Sequence, residues 1–425
     1  MAKANIFVLG LDDLNLETLQ DLPGAEDYRY HRLLDAEELV GTEDINLTEL
    51  LEKAQQLLDG FDGRIDAVVG YWDFPVSSMV PLLCRRLGLP GANLEAVVKC
   101  EHKYWSRLEQ QKAIDEHPRF GIVDLDDEHP TVPEGLRFPL WLKPVKSASS
   151  ELAFKVKDQQ EFEEAAEAIA DGVDKVGKPF EFVLDQLDLP QEIAEVGGRA
   201  CLAEEEVSGH QVTVEGYCLD EQIHLYGIVG SPTYPGSTSF LRFQYPTSLP
   251  QEVTDRLEEL SHRVIKQIGL TGGTFNIEYF WDPDTGEINL LEINPRHSQS
   301  HAILFENVDG WPNHHPMVRL GLGHDPELPR RQGKYAVAAK WFLRRFHDGL
   351  VSRAPTDDEV AQLEHQVSDA KINIIAQEGQ RLSDMPAQDS YSYKLADIFV
   401  GADDQEQLQS TYQRCVDALR FEFDD

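Results

Sequence analysis

The sequence predicts a multidomain protein of mixed α/β and α+β class. The chain has 425 residues, and roughly 100–200 residues per domain would divide it into about two to four structural units. Near the start, short apolar runs that end in glycine alternate with a helical stretch, which is typical of parallel βαβ units. Farther along, strands and helices occur in groups, which is typical of α+β layers.

The first unit, residues 1–95, is predicted to be a small open α/β domain. The apolar run ANIFVLG ends at Gly10 and the run IDAVVG ends at Gly70, with the helical LTELLEKAQQLL between them. The next segment, VSSMVPLLCRRLGLPG, has apolar residues at helical spacing and stops at glycines. No G-x-G-x-x-G follows the first strand, so the usual dinucleotide site is not indicated.

Three further segments complete the predicted organisation. Residues 96–204 are expected to hold a helix, within NLEAVVKCEHKYWSRLEQQKAI, and a compact α+β lid. Residues 205–330 combine strands, an amphipathic helix (LPQEVTDRLEELSHRVIKQIG), and the strands TFNIEYFW and EINLLEINP, which DPDTG joins in a predicted hairpin. Residues 331–425 begin with the strand-like YAVAAKWFL, and T-x-x-E at Thr356 predicts a helix capping box.

The composition is strongly acidic. Lys and Arg number 38 against 76 Asp and Glu, so the formal net charge is −38. Repulsion then disfavours nucleic acid and anionic membranes as partners. No apolar run approaches the roughly 18 residues that span a bilayer, and MAKANIFVLG lacks a secretory pattern, so we expect a cytoplasmic protein. The five cysteines lack C-x-x-C spacing and are expected to be reduced thiols.

A pair of carboxylates in the predicted hairpin is the strongest chemical signal. Glu292 in INLLEINPR lies fourteen positions after Glu278 in FNIEYF (292 − 278 = 14), and an even separation permits a shared face. Asn294 follows Glu292 by two residues, so their side chains point the same way. These are oxygen ligands suited to Mg²⁺. A solvated acidic surface is the alternative, but carboxylates that interrupt apolar strands are costly unless paired or metal-bound.

Two lysines are candidates for phosphate binding. Lys143 ends the apolar strand in FPLWLKPVKSASS and precedes small residues that let backbone amides approach phosphate oxygens. A strand-end lysine in solvent is the alternative. Lys103 in EHKYWSRL is a weaker candidate, because a helical lysine is usually solvated. Three nearby acids could be ligands: Glu204, Glu206 and Glu215. For each of them, a strand position that faces solvent is at least as good an interpretation.

Four segments in order resemble the ATP-grasp superfamily: EHKYWSRL, FPLWLKPVKSASS, AEEEVSGHQVTVEG and FNIEYF…INLLEINPR. The sequence is most similar to the carboxylate–amine ligase branch that includes biotin carboxylase, the carbamoyl-phosphate synthetase halves and the L-amino acid ligases. The resemblance implies an ATP-grasp fold with four parts. These are a pre-ATP-grasp α/β domain (1–95), a linker helix with a lid subdomain (96–204), a catalytic subdomain with a metal site (205–330) and a C-terminal α/β segment (331–425).

The resemblance also implies roles for single residues. Lys103 and Lys143 match the two phosphate-binding lysines, although His102 replaces the acid that usually precedes the first. Arg296 matches an arginine beside the γ-phosphate or the carboxylate being activated, so Arg296 and Lys143 are the implied catalytic residues. The implied adenine hinge is Glu205, which would accept from the amino group, with the backbone of Glu206 and Val207. The implied metal ligands are Glu278, Glu292 and Asn294.

Two stretches depart from the family pattern. The lid loop SASS contains no glycine, where relatives often carry several, and this leaves its fold over the phosphates open. HSQSH follows Arg296 where relatives usually have a glycine, so an unusual acceptor specificity is expected. Four histidines in and after this stretch match no zinc-site spacing and are expected to be ordinary loop histidines: His297, His301, His314 and His315.

The implied activity is that of an ATP-dependent ligase, which forms an amide or peptide bond through an acyl phosphate and releases ADP and phosphate. The implied cofactors are ATP and Mg²⁺ or Mn²⁺, and the partners are a small carboxylate and an amine, amino acids among them. A homodimer stays open. Two alternatives also stay open: a biotin-carboxylase-like or thiol-acceptor ATP-grasp enzyme, and a nucleotide-binding regulatory protein without turnover.

Overall fold

A computed structural model gives the fold of the chain and describes residues 3–40, 45–127, 129–147, 152–367, 369–385 and 392–424. Within these ranges the strands form four sheets, of three, four, eight and two strands. The five cysteines are buried and unpaired. No helix among the described residues is long and apolar enough to span a membrane.

The N-terminal unit is built on a parallel three-stranded sheet. Its elements are β1 (Ala4–Leu9), α1 (Asp13–Gln20), β2 (Tyr28–Leu33), α2 (Ala36–Val40), α3 (Leu47–Asp59), β3 (Ala67–Gly70) and α4 (Val76–Leu87). The strand order is β2-β1-β3, which confirms the predicted parallel pairing of ANIFVLG with IDAVVG. The carboxyl ends of β1 and β3 meet at one edge, the edge where open α/β sheets bind ligands.

The predicted linker helix is two helices, α5 (Leu94–Glu101) and α6 (Lys103–Gln110), and the expectation of a single helix is wrong at His102. The backbone of His102 leaves the helical region at ψ 96°. Its ring Nδ1 accepts the Trp105 N–H at 3.2 Å, so the histidine caps the second helix. The break lets the Lys103 N–H donate to Val145 O at 2.8 Å, which ties the start of α6 to the lid.

The lid contains an antiparallel four-stranded sheet covered by helices. Its elements are β4 (Phe120–Val123), β5 (Leu140–Pro144), β6 (Phe154–Val156), α7 (Gln159–Gly172), α8 (Asp174–Leu184), α9 (Gln191–Val196) and β7 (Cys201–Glu205). The strand order is β4-β7-β5-β6. Phe162 and Ile169 of α7 are buried with Leu142 and Cys201 of the sheet in one apolar cluster. The sheet thereby holds Lys143 on a central strand.

An antiparallel eight-stranded sheet is the centre of the rest of the molecule. Its strands are β8 (His210–Leu219), β9 (Gln222–Ser231), β10 (Arg242–Tyr245), β11 (Thr274–Trp281), β12 (Ile288–Asn294), β13 (Val337–Arg345), β15 (Ala370–Ile374) and β16 (Tyr393–Ala402). The order is β12-β11-β8-β9-β10-β13-β16-β15, so strands of the last hundred residues extend the sheet that carries the predicted metal hairpin. A separate pair joins β14 (Leu350–Arg353) and β17 (Glu422–Asp424).

Five helices accompany this sheet. They are α10 (Gln251–Ile268), α11 (Ala302–Asp309), α12 (His314–Gly321), α13 (Asp357–Gln366) and α14 (Gln405–Ala418). The predicted apolar face of α10 is buried and packs on one side of the hairpin strands. Thr356 and Glu359 form the predicted capping box at the start of α13.

Candidate active site

Six polar side chains share one face of β8, β11 and β12. Glu278 lies directly opposite Glu292, and Asn276 lies directly opposite Asn294. On its other side β11 pairs with β8, whose Thr213 and Glu215 are opposite Glu278 and Asn276. Residues directly opposite or two apart along a strand point to the same face. We call this set the polar grid: Thr213, Glu215, Asn276, Glu278, Glu292 and Asn294.

A β-bulge in β12 is what aligns the two carboxylates. Tyr279 pairs with Leu290 but Glu278 pairs with Glu292, so Leu291 is an extra residue in β12. Without it, Glu278 would face Leu291, and Glu292 would point to the opposite, apolar face. The sequence predicts the shared face from an even separation, but the shared face requires the bulge as well.

Arg107 holds this bulge from the linker helix α6. Its guanidinium donates to Leu290 O at 2.9 Å and to Leu291 O at 2.8 Å. Its Nε pairs with Glu204 Oε1 of the lid at 2.6 Å. The side chain is buried, so its charge depends on these partners. One arginine therefore joins the lid, the linker helix and the strand that carries Glu292.

The environments of the two grid carboxylates differ. Burial, and then the like charge of Glu292, raise the pKa of Glu278 to about 7. Burial also acts on Glu292, but the Lys103 ammonium, 2.6 Å from Glu292 Oε1, holds the pKa of Glu292 below its usual value. Asn294 Nδ2 donates to Asn276 Oδ1 at 3.0 Å and approaches Glu278 Oε1 at 3.3 Å.

The donor set suits a hard divalent cation. Glu278 is a carboxyl that ionises with difficulty beside a second carboxylate, and a divalent cation would favour its charged form. Two carboxylates and an amide oxygen match the preference of Mg²⁺ for oxygen ligands. In the described ranges no cluster of three or more His, Cys, Asp or Glu could hold a metal ion, so a bound Mg²⁺ would rely on water or substrate oxygens for its other ligands. The metal role of these three residues stays a prediction.

The two predicted phosphate lysines lie beside the grid, and each is paired with a carboxylate. Lys103 Nζ is 2.6 Å from Glu292 Oε1 and donates to Ser147 O at 3.1 Å. Lys143 Nζ is 2.6 Å from Glu204 Oε2. Both lysines line a small gap of about 10 Å³ between the linker helix, the lid and β12. In a chain of net charge −38, three cations line this gap with two carboxylates, and the phosphate role of the two lysines stays a prediction.

Glu204 balances the positive charges of this gap. Burial acts to raise its pKa, but Arg107 and Lys143 hold the pKa of Glu204 at about 2. Burial lowers the pKa of Lys143 from its usual value, and Arg107 and Lys103 lower it further while Glu204 opposes them. One buried carboxylate, Glu204, thus opposes the loss of charge that burial favours at Lys143.

Arg296 is engaged by an aspartate of the N-terminal unit. Its Nε and one terminal nitrogen contact the two carboxylate oxygens of Asp73 at 2.8 and 2.6 Å. This two-pronged geometry is the one by which an arginine grips a carboxylate. The resemblance implies that Arg296 lies beside the γ-phosphate or the carboxylate being activated, and in the structure its guanidinium holds the carboxylate of Asp73. Asp73 follows β3 at the carboxyl edge of its sheet.

A cavity of about 60 Å³ with both polar and apolar walls borders Arg296. It lies between the N-terminal sheet and α12, and its wall includes Val69, Val80, Met317 and Leu320. Its size falls below the roughly 150 Å³ that admits a benzene ring. The cavity suits a small aliphatic group next to a guanidinium.

The predicted adenine hinge lies at the end of β7. The carboxylate of Glu205 accepts the Arg137 N–H at 3.0 Å, and that of Glu206 pairs with Lys155 at 2.6 Å. The Glu206 N–H donates to Pro139 O at 3.1 Å. Among the described residues none accepts from the Val207 N–H, so this donor is open to a ligand. The adenine role of the hinge stays a prediction.

Comparisons with known proteins identify the family. A family model described as "ATP-grasp domain" matches residues 136–302, a range that includes Lys143, the hinge and the polar grid. Residues 136–302 are therefore an ATP-grasp domain. The structure of an L-amino acid ligase from Bacillus licheniformis superimposes with a TM-score of 0.71 at 16% identity and covers 100% of both chains, which shows a common fold. The predicted ATP-grasp fold is thereby confirmed.

Curated relatives are similar to the chain over only part of their own length. The uncharacterized protein y4rH of Sinorhizobium fredii (strain NBRC 101917 / NGR234) is 24% identical over 79% of this chain and 64% of its own length. The carbamoyl phosphate synthase large chain of Kocuria rhizophila is 35% identical over 17% of this chain and 7% of its own length. This ATP-grasp chain thus spans less than two thirds of each of these two relatives.

Sequence patterns give no definite role to four residues of the candidate site. Glu204 and Glu215 are 3% and 0% exposed, so their interpretation as solvent-facing strand residues is wrong. Glu215 interrupts the apolar strand QVTVEGYCL, the same signal that identifies Glu278. Arg107 follows Lys103 by four residues on one helix, a spacing that places both on one face. Asp73 follows an apolar parallel strand, where ligand-binding side chains occur.

The two departures from the family pattern have different outcomes. Of the glycine-free loop SASS, only Ser147 is described, and the other three residues lie outside the described ranges. The HSQSH stretch is described and turns back over the polar grid, where Ser298 N–H donates to Glu215 at 3.2 Å. The four histidines are buried, and each has one hydrogen-bonded ring nitrogen: His297 with Thr274, His301 with Glu215, His314 with Asn15 and His315 with Pro326 O.

Proposed function

We propose that this ATP-grasp protein is an ATP-dependent carboxylate–amine ligase that forms an amide or peptide bond through an acyl phosphate and releases ADP and phosphate. The observation that carries the proposal is the polar grid with its two opposed carboxylates, bordered by Lys103 on one side and by Arg296 on the other. A metal site, a phosphate site and a carboxylate grip then lie side by side. A regulatory protein that only binds a nucleotide has no need of an arginine that grips a substrate carboxylate.

Each cation of the site has a carboxylate partner that a substrate can replace. Lys103 contacts Glu292, Lys143 contacts Glu204, and Arg296 contacts Asp73. ATP phosphates would take over the two lysines, and a substrate carboxylate would take over the arginine. Such an exchange keeps each buried cation paired, which avoids the several kcal/mol that an unpaired buried charge costs.

The residues perform the two tasks that phosphoryl transfer requires, which are charge neutralisation and alignment. Lys103 and Lys143 neutralise the phosphates, and Arg296 orients the carboxylate toward the γ-phosphoryl group. Glu278, Glu292 and Asn294 would hold Mg²⁺ or Mn²⁺. A metal held there would supply positive charge that offsets the charge developing on the phosphates.

The acyl phosphate needs protection from water until the amine attacks. The lid strands β5 and β7 carry Lys143 and Glu204, so phosphate binding and lid position are coupled through this ion pair. The buried contact between Glu204 and Arg107 extends the coupling to the bulge at Leu291. Closure of the lid on ATP would exclude water from the grid before the carboxylate is activated.

The test is a screen of phosphate release. Purified protein is incubated with ATP, Mg²⁺ and pairs drawn from amino acids and small carboxylates, and the nucleotide product is identified by chromatography. We expect phosphate release that depends on both partners, with ADP and an amide in equal amounts. The control is Glu292→Gln, which removes one metal charge while filling the same volume, and it should abolish turnover.

Three results would contradict the proposal. AMP in proportion to product would indicate adenylation. Release that depends on bicarbonate or on a thiol, with no amide, would favour the carboxylase-like or thiol-acceptor alternatives. Normal turnover of Glu292→Gln with an unchanged Mg²⁺ requirement would remove the metal site from the mechanism.

A further inference from the structure

A histidine and a carboxylate are paired beneath the loop that follows Arg296. His301 Nδ1 lies 2.8 Å from Glu215 Oε1, and the two residues are 2% and 0% exposed. The other contacts of Glu215 are all with donors: the Tyr226 hydroxyl at 2.7 Å, the Ser298 N–H at 3.2 Å and Asn313 Nδ2 at 3.4 Å. The Glu215 carboxylate therefore accepts every hydrogen bond that it makes. Nδ1 of His301 must then carry the proton and donate to it.

The pair belongs to the polar grid. Glu215 is in the same row as Asn276 and Asn294, which are on the two neighbouring strands. Two interstrand steps of about 4.8 Å place it about 10 Å from Asn294. The loop from Arg296 to His301 is fixed to this row, because Glu215 accepts from Ser298 and His301 alike. His301 is thus within the length of one small molecule from the predicted metal ligands.

The hydrogen bond decides which ring nitrogen can take up a proton. Nδ1–H donates to Glu215, so Nε2 is the nitrogen that gains and loses a proton. No group in the described ranges hydrogen-bonds to Nε2. The ring is also oriented by the edge of Phe243, at 5.0 Å between centroids. A histidine whose ring is fixed by a buried carboxylate, and whose second nitrogen has no hydrogen-bond partner among the described residues, has the arrangement of a general base.

The other titratable groups around the pair keep one charge state. Burial, and then Glu215, raise the pKa of Tyr226 well above its usual value, so it stays a neutral phenol. Burial, and then His314, lower the pKa of His297 well below its usual value, so it stays neutral. Arg296, on the same loop, stays positive because Asp73 opposes the effect of its burial and raises its pKa.

We infer that His301 is the general base of the amide-forming step, with Glu215 as its positioning residue. The inference rests on the proposed function. A substrate ammonium transfers one proton to His301 Nε2, and the freed lone pair forms the C–N bond to the acyl carbon. The C–O bond to phosphate breaks, and phosphate leaves with that electron pair. Phosphate takes the second proton of the nitrogen, and the imidazolium returns the first to solvent.

Hydroxylamine separates this step from the activation of the carboxylate. It is largely unprotonated at neutral pH and attacks acyl phosphates without a base. With ATP, Mg²⁺ and the carboxylate substrate found in the screen, His301→Gln should form the hydroxamate at the wild-type rate. Its amide formation with the amine substrate should fall about 10²- to 10⁴-fold, the usual contribution of general base catalysis.

Two further variants complete the test. Glu215→Gln presents an amide that can donate to Nδ1 and turn Nε2 into the protonated nitrogen, so amide formation should fall while hydroxamate formation persists. His315→Gln is the matched control, because this buried histidine contacts Pro326 O and has no role in the site. Its two rates should equal those of the wild type.

Each outcome decides a different point. Equal loss of hydroxamate and amide in His301→Gln, with normal thermal unfolding, would mean a structural role and overturn the inference. Unchanged amide formation would overturn it too. If His301→Gln does not fold, the same comparison is made with Glu215→Gln, and equal loss of both products there overturns the inference. Failure of the wild type to form any hydroxamate would instead refute the proposed function.

Discussion

Replacing Glu278 with glutamine should stabilise the metal-free protein while abolishing turnover. The pKa of Glu278 is about 7 in the folded protein against an ordinary value of 4.5, because the group is buried beside Glu292. A pKa difference of one corresponds to 1.36 kcal/mol, so keeping this carboxyl ionised costs the fold about 2 to 3 kcal/mol once partial solvent screening is allowed for. Glutamine avoids this cost and also removes the metal ligand.

The sign of the pH dependence follows from the raised pKa. The folded wild type retains a proton on Glu278 over a range in which the unfolded chain has released it. The contribution of Glu278 to wild-type stability therefore falls as pH rises from 4.5 to about 7 and stays lower above that range. The advantage of Glu278→Gln should be near zero at about pH 4.5 and reach about 2 to 3 kcal/mol above pH 7.

The assay is denaturant unfolding in EDTA at about pH 5 and about pH 8, together with ATP turnover in Mg²⁺. Glu292→Gln is the matched control, since it leaves Lys103 without its carboxylate at 2.6 Å and should destabilise the metal-free protein. The two isosteric changes thus have opposite expected effects on stability and the same effect on activity. The proposed repulsion between Glu278 and Glu292 would be refuted if wild type and Glu278→Gln were equally stable at both pH values. It would also be refuted if Glu278→Gln were less stable than the wild type at pH 8.

Three further predictions concern the partners of the grid. Arg107→Met should lower the free energy of unfolding by about 3 to 5 kcal/mol in urea titration, because it leaves a buried pair with Glu204 broken; a loss below about 1 kcal/mol would contradict the role of Arg107. Asp73→Asn should lower the KM for the carboxylate up to about fivefold at constant kcat, since Asp73 no longer competes for Arg296; a raised KM would show that Asp73 helps to bind substrate. Lys143→Met should raise the KM for ATP about 10- to 100-fold in steady-state kinetics, and an unchanged value would exclude a phosphate contact.

Local patterns in the sequence suffice for much of the fold and for part of the site. Runs such as IDAVVG and TFNIEYFW form strands because their apolar residues match the strand period, and Thr356 begins a helix because its capping box is local. Glu278, Glu292 and Lys143 attract notice because each charge interrupts an apolar strand. The helix break at His102 is missed, because an imidazole cap has no strong sequence signal.

The pairing of charges cannot be read from local patterns, because it depends on residues far apart in the chain. Arg107 meets Glu204, 97 positions later, and Leu290 O, 183 positions later. Arg296 meets Asp73 across 223 positions. No periodicity relates such residues, and burial decides whether an acid such as Glu215 is a solvated side chain or the centre of a hydrogen-bond network.

The sequence by itself determined the chemical inventory: two carboxylates and an amide for a cation, two lysines and an arginine for anions, and an ordered set of strands to carry them. The tertiary structure decided how these groups are combined. It added the extra residue at Leu291 that turns Glu292 toward Glu278, and it set Arg107 against that bulge. The physical reason is that strand register and ion-pair partners are fixed by the packing of separate layers, which no short stretch of sequence contains.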